Sequence, residues 1–395
     1  MSTAFAPLAE VRVVDLSRAL AGPHAAMLLG DLGAQVVKVE MPDTGDDTRS
    51  WGPPFIDTDA GGRESTYFLS CNRNKQSIGL DLKSAPDIAT LAELIRRADV
   101  LVENFRPGVL ARLGFSAERL AELNPMLVTL SISGFGHDGP EAGQAVYDQI
   151  AQGEAGLMSL TGADPEHPQR VGVPIGDLTA GIYGALGVLA ALRERDRTGR
   201  GQLVRTSLLA ALVGIHAFQG TAWTVAGHVG RAQGNRHPSI APYGAFRCAD
   251  GIVQIACGNQ SIWQRLCAQF DLDADDPDYA TNAERLAHVD ALTEQLEVRF
   301  ADLDRDALLA RLAEAGVPAG RLRSIDEVYD WEQTRSQRLV VTVDHATLGS
   351  IELPGMALRT FEMSPVGELD ESTRLLHDAP PVLDADGPAI RSWLS

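Results

Sequence analysis

Asp177 is the acidic residue with the most suggestive setting in the chain. It stands in Val173-Pro174-Ile175-Gly176-Asp177-Leu178, directly after a glycine and ahead of a long apolar run. Read alone, such an Asp is a helix N-cap, because its carboxylate can accept the unpaired N–H groups of a first helical turn. Glu40 is a second candidate. It ends a short apolar strand, where a ribose-binding acid of a dinucleotide fold would sit. The preceding turn, residues 17–23 (SRALAGP), lacks GxGxxG, and Pro23 removes an N–H that could hold a phosphate. A nicotinamide cofactor is therefore not expected. Asp271, Asp273, Asp275 and Asp276 form an acidic cluster, but the Gly and Glu that a calcium loop requires are out of register. His24, His137 and His237 are isolated in sequence. The four cysteines, Cys71, Cys248, Cys257 and Cys267, show no CxxC spacing. They read as reduced structural thiols of a cytosolic protein, and no metal site is expected. No GxxxxGK[ST], HExxH or GxSxG occurs.

The elements that must position these residues follow from hydrophobic pattern. Residues 11–15 and 35–40 read as strands flanking a helix that opens near Pro23 and stops at Gly33. Residues 41–66, rich in Pro, Gly and Asp, read as a loop. Strands are expected at 76–80, 100–102 and 127–132, with a helix capped by Ser84 between the first two. Strands alternating with helices imply a doubly wound parallel sheet, whose ligands bind beyond the carboxyl ends of the strands. The loops after Asp15, Glu40 and Glu103 would lie there. A long helix is expected over 177–195 and another over 207–225, followed by a Gly/Arg/His/Pro loop at 226–242. The expected organisation is α/β: a Rossmann-like large domain from 1–200 plus 326–395, a linker helix at 201–225 and a smaller α/β domain at 226–325. The run 178–192 is shorter than the roughly 20 apolar residues of a membrane span, and reads as a buried core helix. The N-terminal Met1-Ser2-Thr3-Ala4-Phe5-Ala6 carries no basic region, so no signal peptide is read there.

Composition narrows the class of partner. The chain has 395 residues, enough for two or three domains. Its 34 Lys and Arg against 53 Asp and Glu give a formal charge of −19. That balance argues against nucleic acid and anionic membranes as general partners. An anionic ligand would need a local basic pocket.

Nine segments, taken in order, carry a resemblance. They are residues 14–17 (VDLS) with 21–23 (AGP), 29–40 (LGDLGAQVVKVE), 72–77 (NRNKQS), 102–108 (VENFRPG), 134–136 (GFG), Tyr147-Asp148, 176–178 (GDL), 198–202 (TGRGQ) and 234–238 (GNRHP). Over nearly its whole length the chain resembles the class III CoA-transferases, the group that includes formyl-CoA and carnitine CoA-transferases. The resemblance implies that Asp177 attacks an acyl-CoA thioester, giving an aspartyl mixed anhydride and free CoA thiolate. Exchange with an acceptor carboxylate then proceeds through further anhydride and aspartyl-CoA steps. A carboxylate suits this role because the anhydride retains the energy of the thioester. Coenzyme A is implied as a co-substrate rather than a resident cofactor, and an acyl-CoA and a free acid as the partners. Arg18, Ala19 and Leu20 are implied in the first CoA-contacting loop, with Leu80, Asn104, Phe105 and Arg112 in others. Arg73, Lys75 and Arg106 are further basic candidates for the phosphates, and Phe105 for stacking. Met41 and Ser133 stand where the family often has basic residues. Tyr147 and Asp148 match positions near the reacting acyl group, and Gly234 and Asn235 a flexible loop over the site. An interlocked homodimer is implied as well, and Gly181, Gly184 and Gly187 would permit close helix contact; the cytoplasmic location is expected from the reduced cysteines.

The same family contains α-methylacyl-CoA racemases. These need a second base, a His where this chain has Tyr147, whose ordinary pKa is too high for that role. A CoA-binding module without catalysis is the third reading. The 234–238 loop and Tyr147-Asp148 look more like the branch using dicarboxylic acids, such as succinyl-CoA donors, than the oxalate branch.

Overall fold

The computed structural model describes residues 5–58 and 61–395. Met1-Ser2-Thr3-Ala4 of the N-terminal stretch, and residues 59 and 60, lie outside the described residues. The described chain divides into two compact units. One comprises residues up to 158, 170–229 and 332–395; the other comprises 159–169 and 230–331.

The first unit is built on six parallel strands. In spatial order they are Lys75–Gly79, Gln35–Glu40, Arg12–Asp15, Val100–Glu103, Val128–Ser133 and Leu203–Ser207. The register pairs Val13 with Val36 on one side and with Val100 on the other. Numbered along the chain, this order runs 3-2-1-4-5-6, and strand order reverses between Arg12–Asp15 and Val100–Glu103. Helices cover both faces, so the strands are apolar on both sides, as buried parallel strands must be. Val13, Val36, Val100, Val102, Val128, Leu130 and Ile132 face the helices Ala21–Asp31 and Ile175–Thr198. Val14, Val39, Ile78 and Leu101 face Leu91, Leu94 and Ile95 of the helix Ala85–Arg97. Each such aliphatic side chain contributes roughly 1.5–3 kcal/mol by leaving water.

Gly181 lets the long helix cross the first one closely, since a Cβ there would stand 2.8 Å from the Ala21 carbonyl oxygen. Gly184 and Gly187 likewise face Leu130 and Val204. All three expected contact glycines therefore pack inside the unit. The long helix is apolar and long enough to cross a membrane by length and composition, but its small residues are spent on this core.

The chain's tail covers the edge strand Lys75–Gly79. Asp386 and Asp384 accept the Ser77 and Gly79 N–H groups at 2.9 and 2.7 Å, and Arg391 donates to the Gly79 carbonyl at 2.8 Å. Exposed strand edges invite pairing with other chains, and this strap occupies that edge.

The structure differs from expectation in four places. Residues 201–225 are not a linker helix: Leu203–Ser207 is the sixth strand, and two helices, Leu208–Gly214 and Ala217–Ala226, follow at 80°. The break falls at Ile215 and His216, and Ala217, where the second helix begins, has a φ of 49°, outside the right-handed helical region. Residues 159–169 belong to the second unit, where the Ala232 and Gly234 N–H groups donate to the carbonyls of Ser159 and Gly162. The loop at 41–66 contains a short 3-10 turn, Asp47–Ser50, and a hairpin of Phe55–Asp57 with Arg63–Ser65. Ser84 stands at its helix N-terminus without a side-chain capping bond.

The second unit packs a three-stranded antiparallel sheet, Tyr243–Cys248, Gly251–Ala256 and Ala319–Arg321, against helices. Its core holds Trp263, Leu266, Phe270, Leu296, Phe300 and Leu312. The buried Arg285 guanidinium donates to the carbonyls of Ala241 and Tyr279 and lies 4.9 Å from the Trp263 ring centroid. The Asp271–Asp276 cluster lies in this unit. Among the described residues no group of three or more His, Cys, Asp or Glu is arranged to hold a metal ion. All four cysteines are free thiols.

Candidate active site

Where strand order reverses, two loops leave the sheet side by side. One follows Asp15 and the other Glu103. The Asn104 side chain joins them by bracketing one residue: its Oδ1 accepts the Arg18 N–H at 2.8 Å, and its Nδ2 donates to the Arg18 carbonyl at 2.7 Å. Ala19 is held at a φ of 64°, and its N–H donates to Asp46 Oδ1 at 3.3 Å. The Arg18 guanidinium lies 5.9 Å from the Phe105 ring and 3.6 Å from Asp47.

A cleft of about 870 Å3 opens beside these loops, within the first unit. Its lining brings together Arg18, Ala19, Asn104, Phe105, Arg106, Tyr147, Asp148 and Asp177, which are far apart in sequence. A second cavity of about 300 Å3 shares Arg18 and Phe105 with it and is walled by Leu16, Val39, Met41 and Leu80.

Asp177 is not the cap of its helix. The helix starts at Ile175 with Pro174 in the N-cap position, so Asp177 is its third residue. The cap comes from elsewhere in the chain. Asp148 Oδ1 accepts the N–H groups of Gly176 and Asp177 at 2.7 and 3.1 Å. Its other oxygen accepts Gln152 Nε2 at 2.6 Å, and the side-chain Oε1 of Gln152 accepts the Val171 N–H at 2.9 Å. Gln152 is fully buried. This chain of bonds fixes both ends of the segment that carries Asp177, and leaves the Asp177 carboxylate free to face the cleft.

Two opposed effects act on that carboxylate. The positive end of the helix dipole favours the anion. Burial, and next the nearby Asp148 charge, disfavour it, and they win: the Asp177 carboxyl is pushed up to about 7. A carboxylate tuned this way is more basic than an ordinary one and yet about half ionised at neutral pH.

An aromatic wall stands beside the acids. Trp51 lies 5.0 Å from Tyr67 and 6.3 Å from Tyr147, both edge to face. Burial, and then the Asp177 charge, push the Tyr67 phenol up to about 12, so it keeps its proton. Trp51, Tyr67 and Arg170 line the same cleft, and the sequence pattern pointed to none of them. Trp51 and Tyr67 sit in or just after the segment read as a loop. The one available signal was two large aromatics close together in a chain with only 6% aromatic residues.

Several expected ligand contacts are committed elsewhere. Arg73 is buried, donates through Nε and Nη2 to both oxygens of Asp31, and reaches the Pro354 carbonyl at 2.8 Å. Lys75 is buried among Asp15 Oδ2, the Pro23 carbonyl and Asn72 Oδ1, at 3.0, 2.8 and 2.8 Å. A buried cation needs such partners, and neither residue is left for a phosphate. Glu40 is bound by Arg49 through both oxygens and by Ser77, which removes it as a ribose ligand. The Leu20 side chain is packed with Met27 and Cys71 in the core. Arg112 is exposed on the short helix Val109–Arg112. Gly234 and Asn235 belong to the second unit.

Comparison with known proteins places this architecture. The profile of CoA-transferase family III matches residues 8–386. A succinyl-CoA:glutarate CoA-transferase of Mus musculus is 39% identical, over 98% of this chain and 89% of its own. A succinyl-CoA:mesaconate CoA-transferase of Haloarcula hispanica is 36% identical, over 91% of each. The crystal structure of a CAIB/BAIF family protein from Brucella suis superposes with a TM-score of 0.85 at 38% identity, covering all of both chains. The chain belongs to CoA-transferase family III. It is an enzyme that transfers coenzyme A from an acyl-CoA thioester to a free carboxylic acid, with coenzyme A as co-substrate.

Proposed function

We propose that the acids exchanged include dicarboxylic acids, with succinyl-CoA as a donor, and that transfer runs through an aspartyl anhydride and an aspartyl-CoA thioester on Asp177. The observation that carries the mechanism is the Asp177 carboxyl itself, free of hydrogen bonds to its own helix and tuned to about 7 at the cleft wall. The substrate class is supported by the relatives named for succinyl-CoA. In this reading the adenine occupies the 300 Å3 cavity between Leu80, Met41 and Phe105. The pantetheine arm passes Arg18, Ala19 and Asn104 into the larger cleft, and Arg106 and Arg112 supply charge to the phosphates. Tyr147 stands beside the acyl group. The chain acts in the cytoplasm as a homodimer. Support for the dimer comes from the exposed Ile182 and Leu186 on the long helix and Trp223 on a neighbouring one.

Racemisation is disfavoured because, among the described residues lining the cleft, there is no histidine to act as a second base. A panel of acyl-CoA donors and acid acceptors, with hydroxylamine or borohydride trapping of the acyl-enzyme, tests the proposal. Modification is expected at Asp177. A label mapped to another residue, or α-proton exchange in deuterated water without any acceptor, would sink it.

The pH dependence follows from the sign of the shift. The nucleophile is the ionised form, so kcat/KM should rise tenfold per pH unit up to about 7 and level off above it. Asp148→Asn keeps an oxygen for the Gly176 and Asp177 N–H groups and removes the charge. The acid limb should then move to lower pH. A limb that stays in place would show that Asp148 does not tune Asp177.

A further inference from the structure

The cleft has an electrostatic problem. Asp177, Asp148 and Asp47 all line it, so the second carboxylate of a dicarboxylic substrate would be repelled unless a cation met it. Three arginines line the same space: Arg18, Arg106 and Arg170. Arg18 faces Asp47 and Phe105 on the strand-end loops. Arg106 stands in the neighbouring loop after Glu103. Arg170 is different, because it lies on the same short segment as Asp177.

The Arg170 guanidinium is half used. Its Nη1 donates to the carbonyls of Val171 and Gly172 at 2.9 and 3.1 Å. Among the described residues no carboxylate lies within ion-pairing distance of it, and its Nε–Nη2 edge makes no hydrogen bond. That edge carries the two parallel N–H groups that match a carboxylate. The self-bonds through Nη1 hold the guanidinium plane against its own backbone, and that backbone is pinned by the bond from Val171 N–H to the buried Gln152. Gln152 also holds Asp148, which caps the turn carrying Asp177. One buried amide thus ties the free guanidinium edge and the reacting carboxylate into a single rigid piece.

We infer that Arg170 is a specificity-determining residue that pairs with the far carboxylate of a dicarboxylic acyl group or acceptor acid while Asp177 meets the near one. This rests on the dicarboxylate reading above. It makes Gln152 a positioning residue, acting through Val171 and Asp148.

Arg170→Met tests the assignment. Transfer is measured with two pairs: succinyl-CoA with a dicarboxylic acceptor, and acetyl-CoA with a monocarboxylic acceptor. The variant should lose about 100-fold or more in kcat/KM with the first pair, since a polar site left without its partner discriminates strongly, and change less than about threefold with the second. Arg170→Lys should recover part of the loss. An equal loss with both pairs would make Arg170 a structural part of the Asp177 segment and overturn the inference, as would no loss with either. The unmodified enzyme separates the two levels. If it shows no preference for dicarboxylic over monocarboxylic substrates, the underlying substrate reading fails, whatever the variant does.

Discussion

Asp177→Ala should lower CoA transfer by roughly 10^4-fold or more, because removing a covalent nucleophile removes the pathway rather than one contact within it. Acyl-CoA binding should survive, since the cleft lining otherwise remains. The same position should show the opposite effect on stability. The folded carboxyl titrates near 7 and its ordinary value is 3.8. Between those values the native state binds more protons than the unfolded one, so stability falls as pH rises through that window. Below about pH 4 nothing is lost, and above about 7 the whole cost is present. At about 1.4 kcal/mol per pH unit, that cost is on the order of 2–4 kcal/mol. Asp177→Asn should therefore unfold at higher denaturant than the parent at pH 8, and match it at pH 4. An equal midpoint at both values would show that the carboxylate is not destabilised by its surroundings. Activity within tenfold of the parent in Asp177→Ala would end its assignment as nucleophile.

Arg73→Met should destabilise the fold by about 3–5 kcal/mol, because it leaves the Asp31 carboxylate buried without its main counter-charge. Asn74 and the His377 ring remain near Asp31 but cannot replace a guanidinium bonded to both oxygens. The folded fraction should keep its KM for acyl-CoA. That result separates the two roles open to this arginine. A KM raised tenfold with the denaturation midpoint unchanged would return Arg73 to the ligand-binding surface.

The structure also separates two kinds of information in the chain. Runs such as Val11 to Asp15 and Gln35 to Glu40 carry their strand assignment locally, because buried parallel strands need apolar side chains on both faces. Alternation with helices then sets the parallel sheet and the end at which ligands bind. Gly176-Asp177-Leu178 was legible as a chemically notable turn for the same local reason.

The sequence by itself thus determined five of the six strands of the sheet, the family resemblance and the importance of Asp177, but not the sixth strand Leu203–Ser207. Only the tertiary structure decided what the charged side chains do. Arg73 and Lys75 read as free cations in a line of sequence, yet each meets a carboxylate more than forty residues away and is buried with it. Arg170 attracted no notice, because its value lies in an unpaired edge beside a cleft. Asp177 looked like a cap until Asp148, 29 residues earlier, was found in that place. The physical reason is common to all four. Backbone preference and hydrophobic period are set by near neighbours along the chain, whereas desolvation and charge pairing depend on what folding brings within a few ångströms. Asp177 owes its position to the first and its chemistry to the second.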